Sequence, residues 1–228
     1  MLMTVLALFI IFQLRHAIVI AYLHRDLCHG SVTYSPWFAQ ATRILQWMSS
    51  HGKFDLQYNA DWAFTHKSHH KHADTMQDPY WPIMLNQSDP KSYDAEPVEK
   101  TKIDQWLEAH PWGFIMTLLW FSFFYGFLGV VFAVAIAITP RWRMIFANHA
   151  YHSWLGWRWE TEKTDAARNL YYGSWFFLGE ELHGNHHDYP RRANFGLAWW
   201  EFDMSYWLLK LLSLFGAVKI EKDEKITP

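Results

Sequence analysis

Two long apolar runs divide the chain. Residues 1–23 read as one hydrophobic segment, broken by Gln13, Arg15 and His16. At about 1.5 Å per residue, a helix of this length crosses a hydrocarbon core of roughly 30 Å. No basic segment precedes the run and no small-residue cleavage site follows it, which argues against a secretory signal. Arg15 is costly in mid-bilayer, so it is expected to snorkel or to face protein. The second run, Pro111 to Thr139, carries no charge. It suits one long tilted helix or a hairpin pivoting near Gly126 and Gly129. Between the runs, residues 30–110 are polar and aromatic, with helical stretches interrupted at Pro36, Gly52 and Pro79. DPKSYDAEPVEK (89–100) reads as a solvated loop. Residues 196–216 predict an amphipathic interfacial helix, and KIEKDEKITP has a disorder-like composition.

Histidines punctuate the polar stretches. His24 and His29 stand in HRDLCH, His66, His69 and His70 in HKSHH, His183, His186 and His187 in HGNHH, and His152 in NHAYH. Residues three and four apart are neighbours on a helix, so each H-x-x-H-H box is expected to aim its imidazoles at a common point. Imidazole ligates iron, zinc, copper and nickel, and geometry chooses among them. A lone histidine is usually a core residue bonded to backbone, but two such boxes and an H-x4-H pair in one short chain outweigh that reading. Nine neutral donors exceed the four that structural zinc takes. They suit two ions with places left for oxygen or water. His16, His51, His72, His110 and His149 fall outside the pattern and are expected to be bystanders.

Composition narrows the class. Hydrophobic residues make up 51% of the chain and fifteen residues are Trp, yet mean hydropathy is only −0.15, which fits a membrane protein with a large polar cap. Trp and Tyr favour the bilayer interface. A net charge of −2 gives no electrostatic basis for binding nucleic acid. The single cysteine, Cys28, excludes an internal disulfide and a multi-thiolate site, and reads as a small buried hydrophobe.

The boxes also decide the topology. Residues 24–70 and 152–187 must meet on one side of the bilayer, and a single crossing between them would separate the ligands. The second apolar run is therefore expected to cross twice. The expected architecture is an all-α integral membrane protein with a single domain over 1–228. Its spans lie at about 1–23, 109–125 and 127–147, and residues 24–108 and 148–228 form a cytosolic helical cap holding the dimetal centre. Arg141 and Arg143 mark the cytoplasmic end of the last span.

The boxes, their order and their flanks resemble the membrane fatty acyl desaturases, most closely the Δ9-type acyl-CoA or acyl-lipid branch. YLHRDLCHG is similar to the first box, DWAFTHKSHHKHADTMQDPYWP to the second and LGEELHGNHHDYP to the third. The resemblance covers about residues 10–220. It implies a di-iron centre ligated by the nine histidines, with Asn148 holding one iron through water. It also implies a four-span stem, whereas one span precedes the first box here, as in a chain lacking the family's first span. Where animal acyl-CoA members carry Arg-Asp before the second box, this chain has Phe64 and Thr65, and Ile145 replaces their Trp. These departures touch substrate recognition and leave the metal ligands alone.

The implied reaction uses O2 on a saturated acyl chain, linked to CoA or lipid. General acid–base catalysis cannot break an alkyl C–H bond, so the oxidant must come from the metal. The chain contains no His-Pro-Gly-Gly segment, so electrons are expected from a separate cytochrome b5 or ferredoxin. Asp74, Asp78, Glu180 and Asp188 are candidates to orient imidazole N–H groups, and Trp62 is a candidate wall of the acyl tunnel. A di-iron hydroxylase would share the boxes. A membrane metal transporter would instead place ligands inside its spans.

Overall fold

The computed structural model describes residues 2–49, 54–80, 95–153, 155–171 and 174–221, without the side chains of 140–142, 144–148, 174 and 175. His51, half of the loop at 89–100 and most of the charged tail lie outside the described residues.

Helix α1 (Leu2–Ala21) buries Leu8, Gln13, His16, Ala17 and Val19 and exposes Leu6, Phe9, Ile10 and Leu14. An apolar outer face around a partly polar inner one inverts the pattern of a water-soluble helix. It fits lipid outside and protein inside. Arg15 faces protein, where its guanidinium donates to the Ser49 hydroxyl. Helix α5 (Gly113–Tyr151) likewise exposes Leu119, Phe123, Phe127 and Val131. These are the two helices, among the described residues, long and apolar enough to cross a membrane.

Helix α5 is not straight. Gly126 breaks it at φ 56° and ψ −137°, a conformation open almost only to glycine. Gly129 then packs directly against the backbone of Phe121, and the rings of Phe121 and Phe132 lie 4.7 Å apart. In an unbroken helix those two residues would be ~16 Å apart along the axis, so the chain doubles back. Leu8 packs with Phe132 and Ile136, and Arg143 donates to Gln13 at 2.6 Å. Both pairs step in the same direction, so the returning arm runs parallel to α1. The two helices therefore deliver the first box and His152 to the same end of the stem. The outgoing arm starts at Gly113 rather than 109, because α4 (Lys102–Ala109) ends just before Pro111. Gly129→Val should disrupt the hairpin, since its side chain would collide with the Phe121 carbonyl. A melting temperature in detergent equal to that of the native protein would contradict this packing.

The remaining elements surround the histidines. Helices α2 (Pro36–Ser49) and α3 (Leu56–His72) join α4 around Trp47, Phe54, Leu56 and Leu107. Strand β1 (Val32–Tyr34), just after the first box, pairs antiparallel with β2 (Val218–Ile220). Helix α6 spans Ser174–Phe177 and α7 spans His183–Asp188. Helix α8 (Met204–Ser213) covers only part of the expected helix at 196–216. Asp203 caps its start by accepting from the Tyr206 N–H at 2.9 Å, and Glu201 ties Leu197 and Ala198 into a preceding turn.

Candidate metal centre

The first box works because its helix changes pitch. Past Ala21, α1 continues as a π-helical turn, Tyr22–Cys28, and the His29 N–H donates to the His24 carbonyl at 3.1 Å. In an α-helix, residues five apart point about 140° away from each other. The i→i+5 bond of a π-turn returns them to one side, and the two rings meet at 5.0 Å.

The second and third boxes do not each aim at one point. On α3, His66 and His70 are one turn apart, while His69 lies about 100° round from His70. His66 and His70 accordingly join His24, His29 and His186 in a five-histidine cluster. His69 joins His152, His183 and His187 in a cluster of four. Box three divides the opposite way, with His183 and His187 in the second cluster and His186 in the first. All nine expected histidines thus fall into two sets, whose ligand atoms lie within 4.8 Å of one another in each. Among the described residues, His16, His72, His110 and His149 join neither.

In the first cluster four Nε2 atoms form a closed ring. The separations are 2.8 Å (His24 to His186), 3.0 Å (His24 to His66), 3.1 Å (His66 to His70) and 2.9 Å (His70 to His186). A square of that edge places its centre roughly 2.1 Å from each nitrogen, the length of an imidazole–metal bond. The fifth nitrogen, His29 Nε2, is buried without a hydrogen-bond partner. In the second cluster, His152 and His183 bring their Nε2 atoms to 3.0 Å, and His187 Nε2 is buried and unpartnered. Burial, reinforced by neighbouring imidazoles, holds His29, His66, His70, His183, His186 and His187 well below the usual imidazole pKa. Neutral rings whose inward lone pairs converge at bonding distance fit a pair of transition-metal ions.

Carboxylates fix which nitrogen points inward. Glu180 Oε2 lies 2.7 Å from His24 Nδ1, both Asp78 oxygens lie 3.0 Å from His69 Nδ1, and Asp74 Oδ2 lies 2.9 Å from His152 Nδ1. A carboxylate accepting the Nδ1 proton leaves the Nε2 lone pair facing the centre. Asp74 reaches His152 from a turn at φ 61°. Burial would raise the carboxyl pKa of Asp74 and Asp78, but the hydrogen bonds from His152 and His69 outweigh it and hold both low. Burial opposes ionisation of Glu180 too, yet His24 and Arg25 bring it down to about 2. Asp188, the fourth candidate, pairs instead with Arg158 at 2.6 Å and Thr161 at 2.8 Å.

Asp165, Arg25 and Asn185 support the site without having carried a signal in the sequence. Asp165 Oδ1 lies 3.7 Å from His187 Nδ1. Arg25 is fully buried, pairs with both oxygens of Asp203 at 2.8 and 3.1 Å and with Glu180 at 3.2 Å, and covers the Phe195 ring. Asn185, inside the third box, exchanges hydrogen bonds with Asn169 and donates to the Phe195 carbonyl. Trp62 stacks on His66 with centroids 5.1 Å apart and packs against Cys28 and Ala63. The Asn148 side chain lies outside the described residues.

The imidazole shifts set a pH dependence for the metal-free protein. A histidine held neutral when folded but ordinary when unfolded lets the unfolded chain bind more protons below its pKa. Chelator-treated protein should therefore lose stability as pH falls below the ordinary imidazole value of 6.5. Melting temperatures taken from pH 8 to 5.5 test this, and a flat profile would contradict neutral packing of the rings.

Two histidine-lined positions at the end of membrane-capable helices could each hold a metal ion. No family model matches the chain. It is 29% identical to a sn-2 palmitoyl-lipid 9-desaturase of Nostoc sp., over 86% of this chain and 73% of that protein. It is 27% identical to Delta-9 acyl-lipid desaturase 1 of Arabidopsis thaliana (85% and 67%) and 26% identical to the plant's palmitoyl-monogalactosyldiacylglycerol delta-7 desaturase (85% and 55%). The chain therefore spans between about half and three quarters of the length of these relatives. With its histidine boxes in place, the chain is similar to these lipid desaturases, which are oxidoreductases.

Proposed function

We propose that the protein is an O2-dependent fatty acyl desaturase that inserts a cis double bond at the Δ9 position of a saturated acyl chain through a His-ligated di-iron centre. The observation that carries this reading is the five-plus-four division of nine inward-facing imidazoles. Lipid-linked acyl chains are the favoured substrates, since the relatives are named for acyl-lipid or lipid substrates. One relative is named for Δ7 rather than Δ9 chemistry, so the bond position is itself part of the test.

When bound, the iron pair would supply the oxidising power that an unactivated C–H bond demands. Two hydrogens leave adjacent carbons. With O2, two protons and two electrons from a separate cytochrome b5 or ferredoxin-type protein, the products are the alkene and two waters. His24, His29, His66, His70 and His186 would hold one iron. His69, His152, His183 and His187 would hold the other, with Asn148 acting through water. Asp74, Asp78 and Glu180 keep the Nδ1 protons outward, and burial of the rings limits access of bulk water. Trp62 sets the plane of His66 and is the candidate contact to the acyl chain.

Expression in a desaturase-deficient host, followed by gas chromatography, should reveal a new monounsaturated fatty acid. A hydroxylated product would make the protein a hydroxylase on the same centre. Protein purified under reducing anaerobic conditions should hold two irons per chain. One zinc with no recoverable iron would overturn the di-iron reading. We also propose a multi-pass protein with its metal site on the cytoplasmic face. Cysteines at Met76 and Lys219 should then label from one side of the membrane and a cysteine at Phe127 from the other. Labelling of Met76 and Lys219 from opposite faces would rule this topology out.

A further inference from the structure

The two clusters differ in their surroundings as well as in their number of histidines. In the four-histidine cluster, His69 and His152 donate to Asp78 and Asp74, and His187 faces Asp165 at 3.7 Å. Among the described residues, Asp78 accepts further only from the backbone N–H groups of Asp74 and Tyr80, and Asp74 from that of Ala166. Neither carboxylate has a Lys or Arg partner among the described residues, so both bring their negative charge to the cluster undiluted. Asp165 is paired with Arg158 at 2.6 Å.

The five-histidine cluster is braced less. Among the described residues, only His24 of this cluster meets a carboxylate, and Arg25 shares that carboxylate, Glu180. His70 Nδ1 and His186 Nδ1 are buried with no hydrogen-bond partner. An outer carboxylate fixes the tautomer, orients the ring and makes its nitrogen a stronger donor. Loss of one such partner typically costs 10–100-fold in metal affinity.

Resting on the di-metal reading above, we propose that the two positions are unequal: the four-histidine position, braced by Asp74 and Asp78, retains its ion more tightly than the five-histidine position. Donor number alone favours the opposite order. Bracing decides the other way, because two unshared carboxylates act on the smaller cluster and one Arg-shared carboxylate on the larger. Asp74 and Asp78 are positioning residues on this account. They are spaced four apart in the loop after α3, so the segment HADTMQD serves as an outer clamp for a single ion.

The test is stepwise removal of metal from the purified full-length protein loaded with Co2+, followed by absorbance during exposure to chelator. The native protein should release its two equivalents in two phases. In Asp78→Asn, which keeps a hydrogen-bond acceptor but no charge, the slow phase should quicken by about tenfold or more while the fast phase is unchanged. Glu180→Gln should quicken only the fast phase. His152→Ala should abolish the slow phase and His29→Ala the fast one, which assigns each phase to its cluster. Release of both ions in one phase, or acceleration of the fast phase by Asp78→Asn, would overturn the inequality. Binding of fewer than two Co2+ by the native protein would instead strike the di-metal reading on which it rests.

Discussion

Replacing His186 or His69 with alanine should abolish desaturation, lowering the product peak to that of the empty host. Each substitution removes a nitrogen from a different cluster, so the two variants should fail alike in activity but differ in metal. His186→Ala opens the near-square ring by deleting the corner shared by the His24 and His70 edges. His69→Ala leaves Asp78 without its imidazole partner. Both sites are on the described polar side of the stem, so membrane insertion should survive, as fractionation would show. His72→Ala is the control, since that ring follows the box closely and belongs to neither cluster. Full activity in His186→Ala, or loss in His72→Ala equal to that in the other two, would break the division between ligands and bystanders.

The second large effect is expected at Arg25, a residue that touches no proposed ion. Arg25→Met would leave the buried Asp203 and the adjoining Glu180 without their cation. Removing one partner of a buried ion pair typically costs about 3–5 kcal/mol, a large fraction of any domain's stability. The variant should therefore accumulate poorly, and what accumulates should melt well below the native protein. Arg25→Lys should recover only part of the loss, because an ammonium cannot reproduce the paired contacts to Asp203 at 2.8 and 3.1 Å. A native-like melting curve for Arg25→Met would show that the network is dispensable.

The histidines that cluster were legible from the sequence because their spacing is chemical as well as helical. His66, His69 and His70, or His183, His186 and His187, make little sense as packing residues. Their division between two clusters also follows from helix geometry, since adjacent residues cannot point the same way. A box treated as one aiming device hides that division. The π-turn at Tyr22–Cys28 was not legible, because HRDLCH carries no mark of a changed helical pitch. Asp74 and Asp78 could be named as supports from their closeness to the second box. Asp188 could be named on the same ground, yet it faces Arg158. Closeness in sequence does not encode which way a loop turns. Arg25 and Asp165 escaped for a related reason: their partners Asp203 and His187 are distant in the chain, and only the packed fold brings them near.

The adjacent histidines of boxes two and three act as calipers. His69 and His70 reach different clusters from neighbouring positions of α3, and His186 and His187 do so from α7. The spacing between the two positions is thus set within two helices, α3 and α7. His24 and His29 enter from α1 and touch only the five-histidine cluster, and His152 enters from α5 and touches only the other. If lipid pressure tilts or slides either long helix, it pulls on one corner of the centre while the calipers hold the gap constant. On the proposed di-metal reading, this arrangement would insulate the separation of the two positions from the bilayer, though not the shape of each half. A thicker or thinner host membrane should therefore alter how firmly each ion is held before it alters the distance between them.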